Sequence, residues 1–125
     1  MASRRLRVLL IEADPGVGRM ILLVLHSAGF DPIHITGGAD ALKVLETTDV
    51  EAVVIDPDLP DGLGGQVLSR LRDYEGRGNT PVPWVVVSSQ DIDHLIVRHG
   101  SVGDWFLAKP FNPWDLIEIL RTSTG

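Results

Sequence analysis

Four short polar clusters carry the residue types that acyl-phosphate chemistry requires. Each follows an apolar run: Glu12-Ala13-Asp14, Asp56-Pro57-Asp58, Ser88-Ser89 and Lys109-Pro110. A carboxylate can attack a phosphoryl group and form an aspartyl phosphate. The phosphoryl charge beside these acids then needs a hard cation such as Mg²⁺, an ammonium group and a hydroxyl donor. The clusters therefore indicate a phosphoryl-accepting site around Asp56, if the fold brings them together.

Apolar runs of strand length alternate with helical patterns along the chain. The runs are Val8 to Ile11, a weaker Pro32 to Ile35, Ala52 to Ile55, Trp84 to Val87, and Trp105 to Ala108. Unbroken apolar strands separated by helices imply a parallel sheet that is covered on both faces. Ligands of such sheets bind beyond the carboxyl ends of the strands. The sequence therefore predicts an α/β fold of five β-α units with all four polar clusters at one edge.

Helix signals fill the gaps between the strands. Asp14-Pro15 reads as an N-cap followed by proline at the first helical position, and Gly29 ends that helix. Asn112-Pro113 reads as the start of the last helix. The three helices between them are marked by apolar residues at helical spacing: Ala39, Leu42, Leu45; Val67, Leu68, Leu71; Ile92, Leu95, Ile96.

Composition limits the classes of function. The 125 residues predict one domain over 1–125, with no linker or repeat. A net charge of -6 argues against direct nucleic-acid binding, which needs clustered positive charge. Cysteine is absent, which excludes thiolate chemistry. No apolar run approaches the roughly 20 residues needed to cross a bilayer. We therefore expect a cytoplasmic protein without membrane partners.

The motifs together resemble the receiver domain of two-component response regulators. The resemblance covers the chain from about residue 6 to 121 and rests on the acidic cluster after the first strand, Ile55 to Pro60 with Gly64, the hydroxyl after Val87, and Lys109-Pro110-Phe111. It implies a flavodoxin-like (βα)5 three-layer sandwich, a five-stranded parallel sheet in the order 2-1-3-4-5, and five helices. It also implies a signalling domain with no enzymatic activity beyond its own phosphotransfer and autodephosphorylation.

The resemblance assigns a role to each candidate residue. Asp56 would accept a phosphoryl group from a sensor histidine kinase or a phosphotransfer protein. Ser88 and Lys109 would contact that group, and Ser88 and Phe106 would switch conformation. A Mg²⁺ ion would be held by Glu12, Asp56 and the main-chain carbonyl of Asp58. A downstream effector protein or domain would read the changed surface, and homodimerisation through that surface is left open.

The sequence departs from the family pattern beside the acceptor. Ala13 stands where the family usually has the acid that binds the metal directly, so Mg²⁺ binding is left open. Asp14 is the next candidate ligand, but neighbouring side chains on a strand point to opposite sides, and Asp14 is also the predicted N-cap. Pro57 follows the acceptor directly and removes an N–H. The isomer of the Lys109-Pro110 bond is also left open.

Two other functions fit parts of the pattern. A pseudo-receiver would keep the fold as a phosphorylation-independent interaction module, and Ala13 and Pro57 favour it. A phosphatase of the haloacid-dehalogenase type would use Asp56 as nucleophile and Asp58 as general acid. That motif normally ends the first strand of a larger fold, and no cap segment or later acidic pair is visible here. The sequence does not determine whether the domain acts alone or within a longer protein.

Overall fold

Five parallel strands make one sheet in the computed structural model, which describes residues 4–76, 80–100, 102–103 and 105–124. The strands are β1 (Arg7–Ile11), β2 (Asp31–Ile35), β3 (Ala52–Ile55), β4 (Trp84–Ser88) and β5 (Trp105–Ala108). Their order in the sheet is β2-β1-β3-β4-β5. The predicted parallel sheet and its strand order are therefore confirmed.

The helices alternate with the strands as predicted. They are α1 (Pro15–Ser27), α2 (Gly38–Thr47), α3 (Gly64–Asp73), α4 (Ile92–His99) and α5 (Pro113–Thr124). On one face of the sheet, buried residues of α1 and α5 such as Leu25 and Leu116 pack with Val54 of the central strand. On the other face, residues of α2, α3 and α4 pack with Val53. Neighbouring side chains of β3 thus serve opposite layers, as the pleat of a strand requires.

Local signals at the helix ends take the predicted form. The Asp14 side chain accepts a hydrogen bond from the N–H of Val17 at 3.0 Å, and Pro15 occupies the first turn of α1. Gly29 follows α1 with a φ of 91°, a left-handed conformation that glycine adopts without strain. Asn112 accepts a hydrogen bond from the N–H of Trp114 at 3.0 Å at the start of α5.

β1 and β3 end level with each other, and β4 and β5 end level with each other two residues further along, since Ile55 pairs with Val86. The register pairs Ile11 with Ile55 and Ser88 with Ala108. Hydrogen bonding continues one residue further, because the N–H of Asp56 donates to the Ile11 carbonyl at 2.9 Å and that of Lys109 donates to the Ser88 carbonyl at 2.8 Å. The sheet therefore fixes the backbone at the point where the polar clusters begin.

No helix in the described part of the chain is long and apolar enough to cross a membrane.

Candidate functional site

Lys109 brings the two buried acids of the site together. Its Nζ lies 2.6 Å from Asp56 Oδ2 and 2.5 Å from Glu12 Oε1. Glu12 is 2% exposed and Asp56 is 7% exposed, so both charges are largely withdrawn from water. Such carboxylates are tolerated only when they are paired. The predicted meeting of the first, third and fifth strand ends is thus present as a compact charge cluster.

The ammonium of Lys109 is held in its charged form. Burial by itself lowers the pKa of a lysine, but the contacts with Asp56 and then Glu12 outweigh it, and the pKa of Lys109 lies above its ordinary value. Lys109 therefore carries a fixed positive charge at neutral pH. A fixed cation next to a buried carboxylate is also well placed to attract the oxygens of an incoming phosphoryl group.

The Asp56 carboxylate is oriented from two sides. Its Oδ1 accepts a hydrogen bond from the main-chain N–H of Asp58 at 2.9 Å, while Oδ2 faces Lys109. Asp58 itself has an exposed side chain. The loop after β3 thus supplies a main-chain donor to the Asp56 carboxylate, although Pro57 removes the N–H that would come before that of Asp58.

Glu12 is fixed by its neighbours at several atoms. Its Oε2 accepts a hydrogen bond from the N–H of Asp14 at 3.1 Å, and its N–H donates to the Ile35 carbonyl at 3.0 Å. Its carbonyl oxygen lies 2.9 Å from Nε2 of His34, which must be the donor in that pair. Sequence reasoning gave His34 no function, because a lone histidine on an edge strand carries no local signal of this contact.

Gly18 makes the position of His34 possible. A Cβ on Gly18 would lie 2.7 Å from the His34 ring, closer than real Cβ atoms approach other atoms. The ring of His34 therefore occupies space that a side chain on α1 would otherwise fill. Periodicity alone could not have identified this role of Gly18.

Ser88 and Phe106 lie on adjacent strands at the predicted switch positions. Ser88 is 1% exposed, and its Oγ accepts a hydrogen bond from the N–H of Gln90 at 2.9 Å. Phe106 pairs with Val86 in the register and is half-buried against the core of the α2, α3 and α4 layer. Ser89, which follows Ser88, is exposed.

The isomer of the Lys109-Pro110 bond, which the sequence left open, is cis.

The oxygen donors fit an open magnesium site rather than a closed protein cage. Asp14 is engaged as the N-cap of α1 and Ala13 has no donor, which leaves the carboxylates of Glu12 and Asp56 and the carbonyl of Asp58. Within residues 4–76, 80–100, 102–103 and 105–124, no group of three acidic or histidine side chains is suited to a metal ion. Mg²⁺ usually binds through one or two carboxylates, keeps several waters and shares phosphate oxygens. The donors present match that mode.

Comparison with known proteins identifies the family. The sequence matches the response regulator receiver domain over residues 8–121. The chain therefore belongs to this family of signalling domains, and the fold, the resemblance and the two-component class inferred from the sequence are confirmed. Membership in a signalling family disfavours the phosphatase interpretation of Asp56 and Asp58.

Individual relatives support the same assignment. The chain is 30% identical over 121 residues to the DNA-binding response regulator MtrA of Mycolicibacterium smegmatis, covering 97% of this chain and 51% of MtrA. It is 31% identical over 124 residues to the cell cycle transcriptional regulator CtrA of Caulobacter vibrioides, covering 96% and 52%. The chain thus spans about half the length of these curated relatives.

A solved structure confirms the fold. The receiver domain of the sensor histidine kinase PA1611 from Pseudomonas aeruginosa, crystallised with a magnesium ion coordinated in its active-site cleft, superposes with a TM-score of 0.81 at 24% identity. The alignment covers 98% of this chain and 99% of that one. The similarity extends over the whole five-stranded architecture.

Proposed function

We propose that Asp56 accepts a phosphoryl group from a phosphorylated histidine of a sensor kinase or a phosphotransfer protein. The observation that carries this proposal is the buried Asp56 carboxylate, which contacts the Lys109 ammonium at 2.6 Å beside Glu12. A structural salt bridge needs only one acid, whereas here one cation faces two. Family membership adds the signalling context, and residues 1–125 act as a single receiver domain in the cytoplasm.

The residues present can divide the transfer reaction among them. A carboxylate oxygen of Asp56 attacks phosphorus while the phosphorus–nitrogen bond of the donor histidine breaks, and the bonding pair leaves with the imidazole. Lys109 offsets the charge of the transferred group by contacting a phosphoryl oxygen, and the Ser88 hydroxyl donates a hydrogen bond to another of these oxygens. The Asp58 N–H keeps the acceptor oriented throughout.

Glu12, Asp56 and the main-chain carbonyl of Asp58 would hold Mg²⁺. Bound there, the ion would offset the negative charge that the phosphoryl group adds between two carboxylates. The PA1611 receiver domain, which has the same fold, was crystallised with a magnesium ion in its active-site cleft, and this favours a Mg²⁺ site in the present domain. Because Ala13 supplies no ligand, we expect weak binding of Mg²⁺ alone and tighter binding once the phosphoryl group adds its oxygens.

The output surface is the one formed by α4, β5 and α5. Phosphorylation adds charge and acceptor oxygens beside Ser88, and Phe106 links that strand end to the outer surface. Exposed apolar side chains already occupy this surface: Ile96 at 44%, Trp105 at 37% and Trp114 at 57%. An effector protein or domain would bind here. Two of the relatives are named as DNA-binding or transcriptional regulators, which favours transcriptional output through a separate DNA-binding part.

The phosphorylation test uses acetyl phosphate as the donor and intact mass as the readout. Wild type with Mg²⁺ should gain one phosphoryl group, and Asp56→Asn should gain none. Asp58→Asn is the matched control, because its side chain is exposed and only its main chain enters the site. A wild type that gains no adduct, or an adduct that persists in Asp56→Asn, would overturn the proposal.

The pseudo-receiver remains the second candidate, and Ala13 is the observation that favours it. In that function Lys109 would serve as a permanent internal counter-ion for Glu12 and Asp56. Ala13→Asp distinguishes the two functions. If wild type takes up no phosphoryl group and Ala13→Asp does, the domain has the machinery but has lost its metal ligand, and the pseudo-receiver is correct.

A further inference from the structure

The side chain of Asp61 connects the loop after Asp56 to the start of α2 by a hydrogen bond. Its Oδ2 accepts a hydrogen bond from the main-chain N–H of Ala39 at 3.0 Å. Its Oδ1 accepts one from the N–H of Leu63 at 3.2 Å. One carboxylate thus connects two segments that lie 22 residues apart in the sequence. The resemblance assigned no role to Asp61.

Helix α2 receives from Asp61 the cap that its own sequence lacks. The first N–H groups of a helix have no partner within the helix and are usually satisfied by the residue before it. Here that residue is Gly37, which makes no side-chain cap. Asp61 takes its place from another segment, and its charge also suits the positive end of the helix. The hydrogen bond from Ala39 is the main reason why the pKa of Asp61 lies below its ordinary value.

Two glycines leave the room for this contact. A Cβ on Gly38 would lie 2.6 Å from Leu63 Cβ and 3.1 Å from Asp61 Oδ1. A Cβ on Gly37 would lie 3.3 Å from Asp61 Oδ2. The start of α2 therefore lies directly against the loop. A capping side chain at residue 37 would therefore occupy the space that the Asp61 carboxylate now fills.

The fastened loop is the one that orients the acceptor. Its first part donates the Asp58 N–H to Asp56 Oδ1 at 2.9 Å. At its last part, Gly64 packs directly against the main chain of Pro57, because a Cβ on Gly64 would lie 1.8 Å from the Pro57 carbonyl oxygen. Asp61 lies between these two points. Leu59 is buried in the core, and the attachment of Asp61 to α2 ties the part of the loop after Leu59 to the rest of the domain.

We propose that Asp61 is a positioning residue for phosphoryl transfer, which keeps the Asp58 N–H on the Asp56 carboxylate by tying the loop to α2. The proposal rests on the proposed function of Asp56. It assigns Asp61 no contact with the phosphoryl group. Its effect passes from Ala39 through the loop to the orientation of the acceptor.

The test separates loop positioning from helix capping. Asp61→Ala removes both, whereas Asp61→Ala combined with Gly37→Ser restores a cap on α2 without restoring the tie to the loop. Gly37 has φ -134°, which serine adopts readily, and the crowding oxygen of Asp61 is gone in the double variant. Asp61→Asn is the conservative variant, since its amide oxygen can still accept from Ala39.

Initial rates of adduct formation from acetyl phosphate and thermal stability are measured for all variants. We expect Asp61→Ala to form adduct about tenfold more slowly. This is less than the roughly hundredfold cost of displacing a reacting group by a full ångström. The double variant should recover the thermal stability of wild type but still form adduct slowly. Asp61→Asn should keep most of the wild-type rate of adduct formation. An unchanged rate in Asp61→Ala, or full recovery of the rate by Gly37→Ser, would overturn the proposal.

Amide hydrogen exchange at Asp58 keeps this test separate from the test of Asp56 itself. Faster exchange in Asp61→Ala that Gly37→Ser does not reverse supports the loop tie, even if wild type takes up no phosphoryl group and the proposed function fails. Unchanged exchange at Asp58 contradicts the tie whatever the rates. If Asp61→Ala does not fold, Asp61→Asn and the double variant provide the same comparison.

Discussion

At the scale of single residues, Lys109 determines whether two buried acids can share one strand edge. Its ammonium contacts both Glu12 and Asp56, and its side chain is only 15% exposed. Removing one member of a buried ion pair leaves the other charge uncompensated. The same cation therefore stabilises the unmodified domain and, in the proposed function, would also bind the phosphoryl group.

Lys109→Met should destabilise the domain by about 3 kcal/mol at neutral pH, because the two carboxylates lose their counter-charge in a buried site. Urea unfolding measures the change. Lys43→Met is the matched control, since Lys43 is the other lysine of the chain and is exposed. Equal effects of the two substitutions would show that the Lys109 cluster contributes nothing to folding.

Alkaline pH should erase the difference between wild type and Lys109→Met. The pKa of Lys109 is raised in the folded state, so its stabilisation is complete below the unfolded value of about 10.4 and is lost as the pH rises through the folded pKa. The gap between the two proteins should stay constant from neutral pH to about pH 10 and then narrow. A gap that widens above that pH would contradict the assigned direction of the shift.

At the scale of elements, the turn from β1 into α1 shows how one acid can look like a ligand and act as a cap. Asp14 lies two residues after Glu12, yet its carboxylate accepts from the N–H of Val17. Its main-chain N–H, not its side chain, serves the site through Glu12 Oε2. The main chain of Asp14 therefore helps to position Glu12, while the Asp14 carboxylate caps α1.

Asp14→Ala should cost about 1 kcal/mol of stability through loss of the N-cap, and Asp14→Ser should recover most of it. Neither substitution should alter the Mg²⁺ concentration at which acetyl phosphate labels the protein at half its maximal rate. A large increase in that concentration for Asp14→Ser would instead identify Asp14 as a metal ligand.

The junction between the loop and α3 depends on a glycine. Gly64→Ala should destabilise the domain by about 2 kcal/mol and slow phosphorylation, because the new Cβ meets the Pro57 carbonyl and displaces the loop. Gly65→Ala is the neighbouring control, since its Cβ would lie 3.5 Å from His99 Nδ1, an ordinary contact. Similar losses in both variants, measured by urea unfolding and adduct rates, would contradict a specific role for Gly64.

At the scale of the whole molecule, the sequence predicted the architecture because its strongest signals are local. The run Ala52 to Ile55 is buried throughout as β3, and Asp14-Pro15 begins a helix as expected. The ends of two strands differ slightly from the prediction, since β2 begins at Asp31 and β4 includes Ser88. These shifts occur where hydrogen bonds to a neighbouring strand extend an element past its apolar residues, which single-chain patterns do not report.

The sequence predicted that Asp56 and Lys109 would lie close together, but it did not predict the other contacts around them. Parallel topology brings Asp56 and Lys109 to one edge, and the sequence alone supports that step. Their sharing of the ammonium with Glu12, and the carbonyl contact of His34, depend on side-chain conformations between distant segments. Asp61 was missed for the same reason, since its partner Ala39 belongs to another unit of the fold.

In the proposed function, Asp56 is the phosphoryl acceptor and the bond formed is an acyl phosphate. The most direct measurement treats the acetyl-phosphate-labelled, unfractionated protein with hydroxylamine, which converts an acyl phosphate to a hydroxamate, and then maps the hydroxamate by peptide mass. The proposed function predicts one hydroxamate, at Asp56, which disappears in Asp56→Asn. A hydroxamate at Glu12 or Asp58 instead, or a phosphoryl label that hydroxylamine does not release, would contradict it.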